Sequence, residues 1–142
     1  MDSVVAKLPD WQKGWIAGMV DGEGNIGVYR YKNDARDTAK GHVAVYNTHC
    51  ATLNMICTLT QLGNVRLVSK AESNNKASWI WSIQSAIDIY TFLGELTKYI
   101  FTKRQQAELL LEWCNGKIIS APIHDDNYYY KLTKQLNNIG GR

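Results

Sequence analysis

Proline is nearly absent, with two residues in a chain of 142, and charged side chains make up only 20% of it. Both scarcities argue against a disordered polymer, which is rich in each. With 45% apolar residues, the chain has material for one globular domain with a real core. No apolar run approaches the ~20 residues that a membrane span requires, so no membrane is expected as a partner. The start, Met1-Asp2-Ser3-Val4-Val5, lacks the basic and apolar regions of a signal peptide. The expectation is an intracellular protein that works where its gene is expressed. Cysteine is sparse as well: Cys50, Cys57 and Cys114 are an odd set without C-x-x-C spacing. That suits reduced thiols rather than a disulfide framework. Three scattered histidines include no His-x-x-x-His pair, so no zinc site is visible, and no Ser-His-Asp or Cys-His set is apparent. Acid is missing between Thr38 and Ala71.

What is present is uneven. The net charge is +3, yet the segment 24–70 alone carries +4, from Arg30, Lys32, Arg36, Lys40, Arg66 and Lys70 against Asp34 and Asp37. A basic, strand-rich segment fits a nucleic-acid surface. An ordinary solvated sheet face would carry the same charge equally well.

One stretch organises the chain: Trp15-Ile16-Ala17-Gly18-Met19-Val20-Asp21-Gly22-Glu23-Gly24-Asn25-Ile26-Gly27. Asp10 after Pro9 predicts a helix start capped by the Asp10 carboxylate, with the helix over 11–20 ending where glycines arrive. Gly14, Ala17 and Gly18 share one helical face. A helix-interior glycine costs roughly 1 kcal/mol relative to alanine, so two on one face point to close approach of another helix. Asp21 and Glu23 stand at the helix C-terminus, where the dipole already disfavours acids, unless a cation arrives. Carboxylate and unpaired carbonyl oxygens together are what a hard divalent ion takes as ligands. Residues 22–27 also read G-x-G-x-x-G, but that fingerprint needs a strand before it and a helix after it. The order here is reversed, which excludes a dinucleotide site.

Downstream, alternation predicts strands over 25–32 and 41–48 with a polar hairpin tip over 33–40. In the first strand Ile26 and Val28 face the core and Asn25, Gly27, Tyr29 and Tyr31 face outward. Arg30 and Lys32 then fall on the core side, so the strand is expected to leave the core or bulge there. In the second, Val43 and Val45 face inward and His42, Ala44 and Tyr46 outward. A helix follows over 51–61, capped by Thr48 and stopped by Gly63. Strands over 64–69 and 78–84 flank a turn at 72–76, with Trp79, Trp81 and Ile83 inward. From Ser85 the period is helical again, through Ile87, Tyr90, Leu93, Leu96 and Ile100. A second helix spans 102–114, and a last short one 124–136 carries Tyr128-Tyr129-Tyr130, expected to pack or to lie on a partner. The fold class is α+β, with an internal strand-strand-helix duplication. A four-stranded antiparallel sheet is backed by helices on one face. Its open, basic face is the kind that lies in a DNA major groove.

The stretch Trp15-Ile16-Ala17-Gly18-Met19-Val20-Asp21-Gly22-Glu23-Gly24 resembles the signature of the LAGLIDADG homing endonucleases, in one copy, with Glu as the final acid. The family's order, αββαββα on a saddle-shaped sheet, agrees with the pattern over roughly 10–115, leaving 116–142 as a helical extension of a single 1–142 domain.

The resemblance implies a sequence-specific double-stranded DNA endonuclease dependent on Mg²⁺ or another divalent cation such as Mn²⁺. Glu23 and the Gly22 carbonyl would hold the metal, with Asp21 supporting or serving the helix end. Asn47 would organise water near the scissile phosphate. Lys103, or Arg104 in its place, would stabilise the phosphate charge. One motif copy implies a homodimer packed through Gly14, Ala17 and Gly18, cutting a long pseudo-palindromic site. Candidate DNA contacts, ranked by strand face only, are Asn25, Tyr29, Tyr31, Asn33, Arg36, Lys40, His42, Tyr46, Arg66 and Lys70. The alternatives are an RNA maturase that binds host intron RNA and a non-cleaving DNA-binding protein on the same scaffold.

Overall fold

A computed structural model describes residues 2–33, 36–70 and 76–139, without the side chains of residues 32, 33, 36, 37 and 139. The element order is α1 (Asp10–Glu23), β1 (Gly24–Asn33), β2 (Arg36–Asn47), α2 (Cys50–Thr60), β3 (Asn64–Ser69), β4 (Ser78–Ile83), α3 (Ala86–Leu96), a 3-10 turn (Thr97–Tyr99), α4 (Arg104–Ile118) and α5 (Asp126–Ile139). The expected turn at 72–76 falls largely outside the described residues.

α1 runs a full turn further than the sequence suggests. Gly22 does not break it, and the two acids lie in its last turn rather than in a loop. Nor does Asp10 cap it: Pro9 takes the cap position with extended backbone, and the Asp10 carboxylate accepts the Tyr99 hydroxyl at 2.7 Å. The chain passes from helix to strand at Gly24 with no intervening loop. A Cβ there would stand 2.4 Å from the Val20 carbonyl oxygen, so only glycine fits the junction.

The four strands form one antiparallel sheet in the order β1-β2-β4-β3. Register sorts residues onto two faces. One carries the rows Ile26–Val43–Ile83 and Gly24–Val45–Trp81–Val65. The helices cover it, contributing Ile16, Val20, Leu53, Ile56, Phe92, Leu93, Leu110 and Trp113 to the hydrophobic core. Trp81 lies 5.2 Å from the Phe92 ring, and its indole N–H donates to the Leu62 carbonyl at 2.9 Å. That bond explains how a polar N–H tolerates complete burial.

Several local expectations change. β1 does not bulge at Arg30: its pairing with β2 is unbroken from Gly24–Val45 to Asn33–Arg36. Arg30 is exposed beyond the core, donating to the Asn127 side chain at 3.1 Å. Among the described residues the one register irregularity lies between Leu67 and Ser69. α2 starts with His49, not Thr48, at its cap position, and Gln61 rather than Gly63 takes the left-handed C-cap at φ 56°. Gly63 is nonetheless constrained, because a Cβ would meet the Ser82 carbonyl at 2.6 Å. In α3, Ile87 and Tyr90 are 64% and 43% exposed, and the buried stripe is Ile89, Phe92, Leu93 and Leu96. Leu93, Leu96 and Ile100 of the expected series are buried, and packing replaces Ile87 and Tyr90 by Ile89 and Phe92. α4 begins at Arg104 and runs on to Ile118, and α5 begins at Asp126 and reaches Ile139.

α5 is integral to the core, which therefore extends beyond 10–115. Tyr129 is buried in the hydrophobic cluster, and its hydroxyl donates to Glu112 at 2.8 Å. Burial, reinforced by that carboxylate, pushes its phenol well above the ordinary tyrosine range. β1 is an edge strand, and an unpaired edge invites intermolecular pairing. α5 covers it: the Val28 N–H donates to the Thr133 hydroxyl at 3.1 Å, and both residues are fully buried.

Candidate functional site

The acid pair at the end of α1 divides into two roles. Asp21 Oδ2 accepts the backbone N–H of Phe101 at 2.7 Å and of Thr102 at 3.2 Å, and Oδ1 accepts that of Lys103 at 3.1 Å. Those groups open α4, so Asp21 serves as the anion at its N-terminus, where a helix dipole favours negative charge. The Lys103 ammonium in turn donates to the Asp21 carbonyl oxygen. The cation that the C-terminus of α1 called for is thus supplied by the chain itself. Glu23, the last residue of α1, is exposed and makes no hydrogen bond or ion pair among the described residues. Gly22 is exposed beside it, in the turn whose carbonyls lack helical partners.

Asn47 ends β2. The Gly24–Val45 pairing brings it to the end of the sheet where α1 enters. Its Oδ1 accepts the His49 N–H at 2.8 Å, fixing the side chain by an Asx turn. Arg104 is not a substitute for Lys103. Its guanidinium donates to the Ile100 and Lys98 carbonyls, each at 2.8 Å.

The open sheet face gathers the predicted strand residues. Asn25, Tyr29 and Tyr31 of β1 stand opposite Ala44, Lys40 and Thr38 of β2, and His42 stands opposite Gly27. Tyr46 continues through Ile80 to Arg66 in one row. Lys70 follows β3 as an exposed residue. Asn33 and Arg36 pair at the hairpin end, while their side chains lie outside the described set. Lys40 Nζ sits 5.8 Å from the Tyr31 ring centroid. Tyr29 is committed within the chain, donating to Asn25 and accepting from Asn137 at 3.2 Å. His42 packs edge-on to Tyr29 at 5.9 Å. Burial, with the nearby Arg66 charge, holds its imidazole below the ordinary histidine range, and its buried Nδ1 has no hydrogen-bond partner among the described residues.

Sequence reasoning missed Asn64 and Ser82. They extend the Asn25–Ala44 row across the sheet and line a polar depression of about 380 Å³ with Arg66 and Asp88. The signal was available: Ile80 and Ser82 alternate with Trp79, Trp81 and Ile83. Ala44 and Ile80, though on this face, are buried at 0% and 2%.

On the outer side of α1, Gly14, Gly18 and Gly22 repeat at i, i+4 and i+8, and a Cβ on any of them would meet nothing within 4 Å. Ala17 does not join them, being fully buried inside the chain. Trp11 and Phe101 are large apolar side chains left 71% and 84% exposed.

No group of three or more His, Cys, Asp or Glu side chains suited to a metal occurs among the described residues. This excludes a closed structural metal cage there. It still fits Mg²⁺, which is commonly held by one or two carboxylates, waters and the substrate's phosphates. Glu23, exposed and without a partner among the described residues, beside the Gly22 carbonyl at the open end of α1, matches that donor set.

A four-stranded antiparallel saddle backed by helices, entered through a Gly-rich helix that ends in an acid, is the fold of the LAGLIDADG homing endonucleases, and this chain has it. Homing endonuclease I-CvuI, solved with its DNA target in the presence of Ca, superposes with a TM-score of 0.72 over 89% of this chain and 82% of that chain, at 21% identity. The archaeal intron-encoded I-Vdi141I, complexed with DNA, gives 0.63 over 90% and 98%, at 14% identity. I-GzeII, in complex with a DNA target, gives 0.63 at 18% identity. There 76% of this chain matches only 36% of that one. No protein-family model and no curated protein sequence matches the chain.

Proposed function

We propose that this protein is a sequence-specific endonuclease that binds double-stranded DNA as a homodimer and cuts both strands in the presence of Mg²⁺. The observation that carries the reading is the end of α1. There Asp21 ties α1 to the start of α4, placing the Lys103 ammonium within the same helix turn as the unpaired Glu23. These groups stand at one end of an open face built from tyrosine, amide and basic side chains.

Glu23 and the Gly22 carbonyl would hold a divalent ion, which when bound supplies an acidified water and a Lewis acid for phosphodiester hydrolysis. Lys103 offers positive charge to the phosphate as its charge develops. Asn47, fixed through its Oδ1, has its amide N–H groups left to orient water. Asp21 holds Lys103 in place and takes no part in the chemistry. β1 has 10 residues, about 34 Å at ~3.4 Å per residue, close to one turn of B-DNA. One protomer therefore reads about half of a two-turn site. A second copy seated on the Gly14, Gly18 and Gly22 row, covering Trp11 and Phe101, supplies the other half by two-fold symmetry.

The test is a selection followed by a challenge. Protein is bound to a random duplex library in Ca²⁺, the retained DNA is given Mg²⁺, and the ends are sequenced beside Glu23→Gln. We expect symmetric double-strand breaks at one pseudo-palindromic motif. The variant should lose cutting by on the order of 10³-fold while still retaining the motif. Enrichment without any cutting would reduce the protein to a DNA-binding role, and no enrichment would turn attention to intron RNA.

A further inference from the structure

We infer that Gln106 of α4 and Asn137 of α5 are positioning residues for base reading: acting through Tyr29, they turn the amide nitrogen of Asn25, and not its oxygen, toward the DNA. The inference rests on the DNA-binding reading above and names what one residue of that face recognises. An asparagine amide has an acceptor at one end and two donors at the other, and its orientation follows from the bonds it makes. Here a chain of bonds with a fixed starting point decides it. The Leu136 backbone carbonyl can only accept, so the buried Gln106 side chain turns its nitrogen to it, at 3.5 Å. The same nitrogen lies 3.3 Å from the Asn137 side chain, which therefore presents its oxygen to Gln106. The Asn137 nitrogen is left for the Tyr29 hydroxyl, to which it donates at 3.2 Å. A phenol has one proton, and that of Tyr29 goes to the Asn25 Oδ1. Burial holds the Tyr29 phenol above the ordinary tyrosine range, so the proton stays in place at neutral pH and the direction of the chain holds.

Asn25 stands on the open face, at the β1 end of the row that runs through Ala44 and Ser82 to Asn64. With its oxygen held by Tyr29, it is not the bidentate adenine reader that a free asparagine makes. It offers N–H donors alone. Those match the acceptors that guanine and thymine present in the major groove, whereas cytosine presents a donor there and is refused. The side chains of the chain come from α4, α5 and β1, so one element of sheet specificity is set behind the sheet.

The measurement is motif selection from the random duplex library, then Kd on duplexes carrying each base at the position whose preference Asn25→Ala removes. Wild type should bind guanine or thymine there about 10-fold more tightly than cytosine. Asn137→Asp keeps the shape but can only accept, so the Tyr29 proton turns to it and Tyr29 accepts from the Asn25 nitrogen. The Asn25 oxygen then faces the bases, and the preference should invert toward cytosine or adenine with other positions unchanged. The added charge weakens binding to every duplex alike and cancels from the ratio. Tyr29→Phe breaks the chain and should flatten the preference, and Asn137→Asp should then add nothing to it. A merely structural role for Asn137 would lower the melting temperature or the overall affinity without inverting one base. An Asn137→Asp protein that keeps the wild-type preference, or an Asn25→Ala protein that keeps every position, overturns the inference while DNA binding stands. Wild type that enriches no motif overturns the DNA-binding reading as well.

Discussion

Asp21 shows how one carboxylate can be costly by local rules and favourable in context. At the C-terminal turn of α1 it meets the negative end of that helix. Across space it meets three N–H groups at the start of α4, at 2.7, 3.2 and 3.1 Å. Charge-assisted bonds of this kind are about twice as strong as neutral ones, and they outweigh the unfavourable dipole. Asp21→Ala would leave those donors to water and free the start of α4. We expect a loss of about 1–2 kcal/mol of stability, comparable to a lost N-cap, measured by urea unfolding. Cleavage should fall with DNA affinity little changed, because Lys103 loses its anchor while the sheet face is untouched. A variant that cut at the wild-type rate would dissociate Asp21 from the cleavage centre. The neighbouring acid, Glu23, has no internal bond to lose among the described residues, so Glu23→Gln should alter chemistry without altering stability.

At the scale of the element, α5 solves an edge problem. An antiparallel sheet in the order β1-β2-β4-β3 leaves β1 with one row of backbone groups unpaired. The Thr133 hydroxyl answers the Val28 N–H inside a fully buried contact. Thr133→Val keeps the shape and removes the acceptor. A buried N–H left unsatisfied costs about 1–3 kcal/mol, so the urea midpoint should fall by that equivalent with the m-value unchanged. A midpoint equal to wild type would mean that water reaches the edge. The sequence placed a helix here from its period and described it as an extension. That the helix closes the sheet edge depends on Thr133 meeting a strand 105 positions earlier, which no local pattern encodes.

For the whole molecule, the outer side of α1 matters most. Gly14, Gly18 and Gly22 form a channel bare of side chains, beside Trp11 and Phe101 standing in solvent. Exposed aromatics next to a glycine row are what a tightly packed isologous helix pair leaves when separated. Gly18→Glu puts a charge where nothing lies within 4 Å in the single chain. The monomer should therefore fold with a melting temperature within a few degrees of wild type. Sedimentation should show the proposed dimer lost, and double-strand cutting should go with it. A variant that still sedimented as a dimer would move the interface elsewhere.

By itself, the sequence determined the elements and the alternation of their faces. It also placed two acids between the end of a helix and a basic hairpin. Those properties follow from neighbouring residues: a period of two or near four, a glycine where a chain must turn, a charge where a dipole ends. Asn25, Tyr29, Tyr31, His42, Tyr46 and Arg66 were assigned to one face because strand period leaves no other choice, whereas Lys40, expected in the hairpin tip, joins that face because β2 begins at Arg36. Only the tertiary structure decided the order of the strands, that Ile89 and Phe92 rather than Ile87 and Tyr90 of α3 are buried, and that Ala17 belongs to the core while Gly22 joins the outer row. It alone separated the roles of Asp21 and Glu23, two residues apart in the chain. The reason is physical: each outcome rests on a hydrogen bond or packing contact with a partner distant in sequence, such as the 80 residues between Asp21 and Phe101, and that partner is chosen by the packing of the whole core.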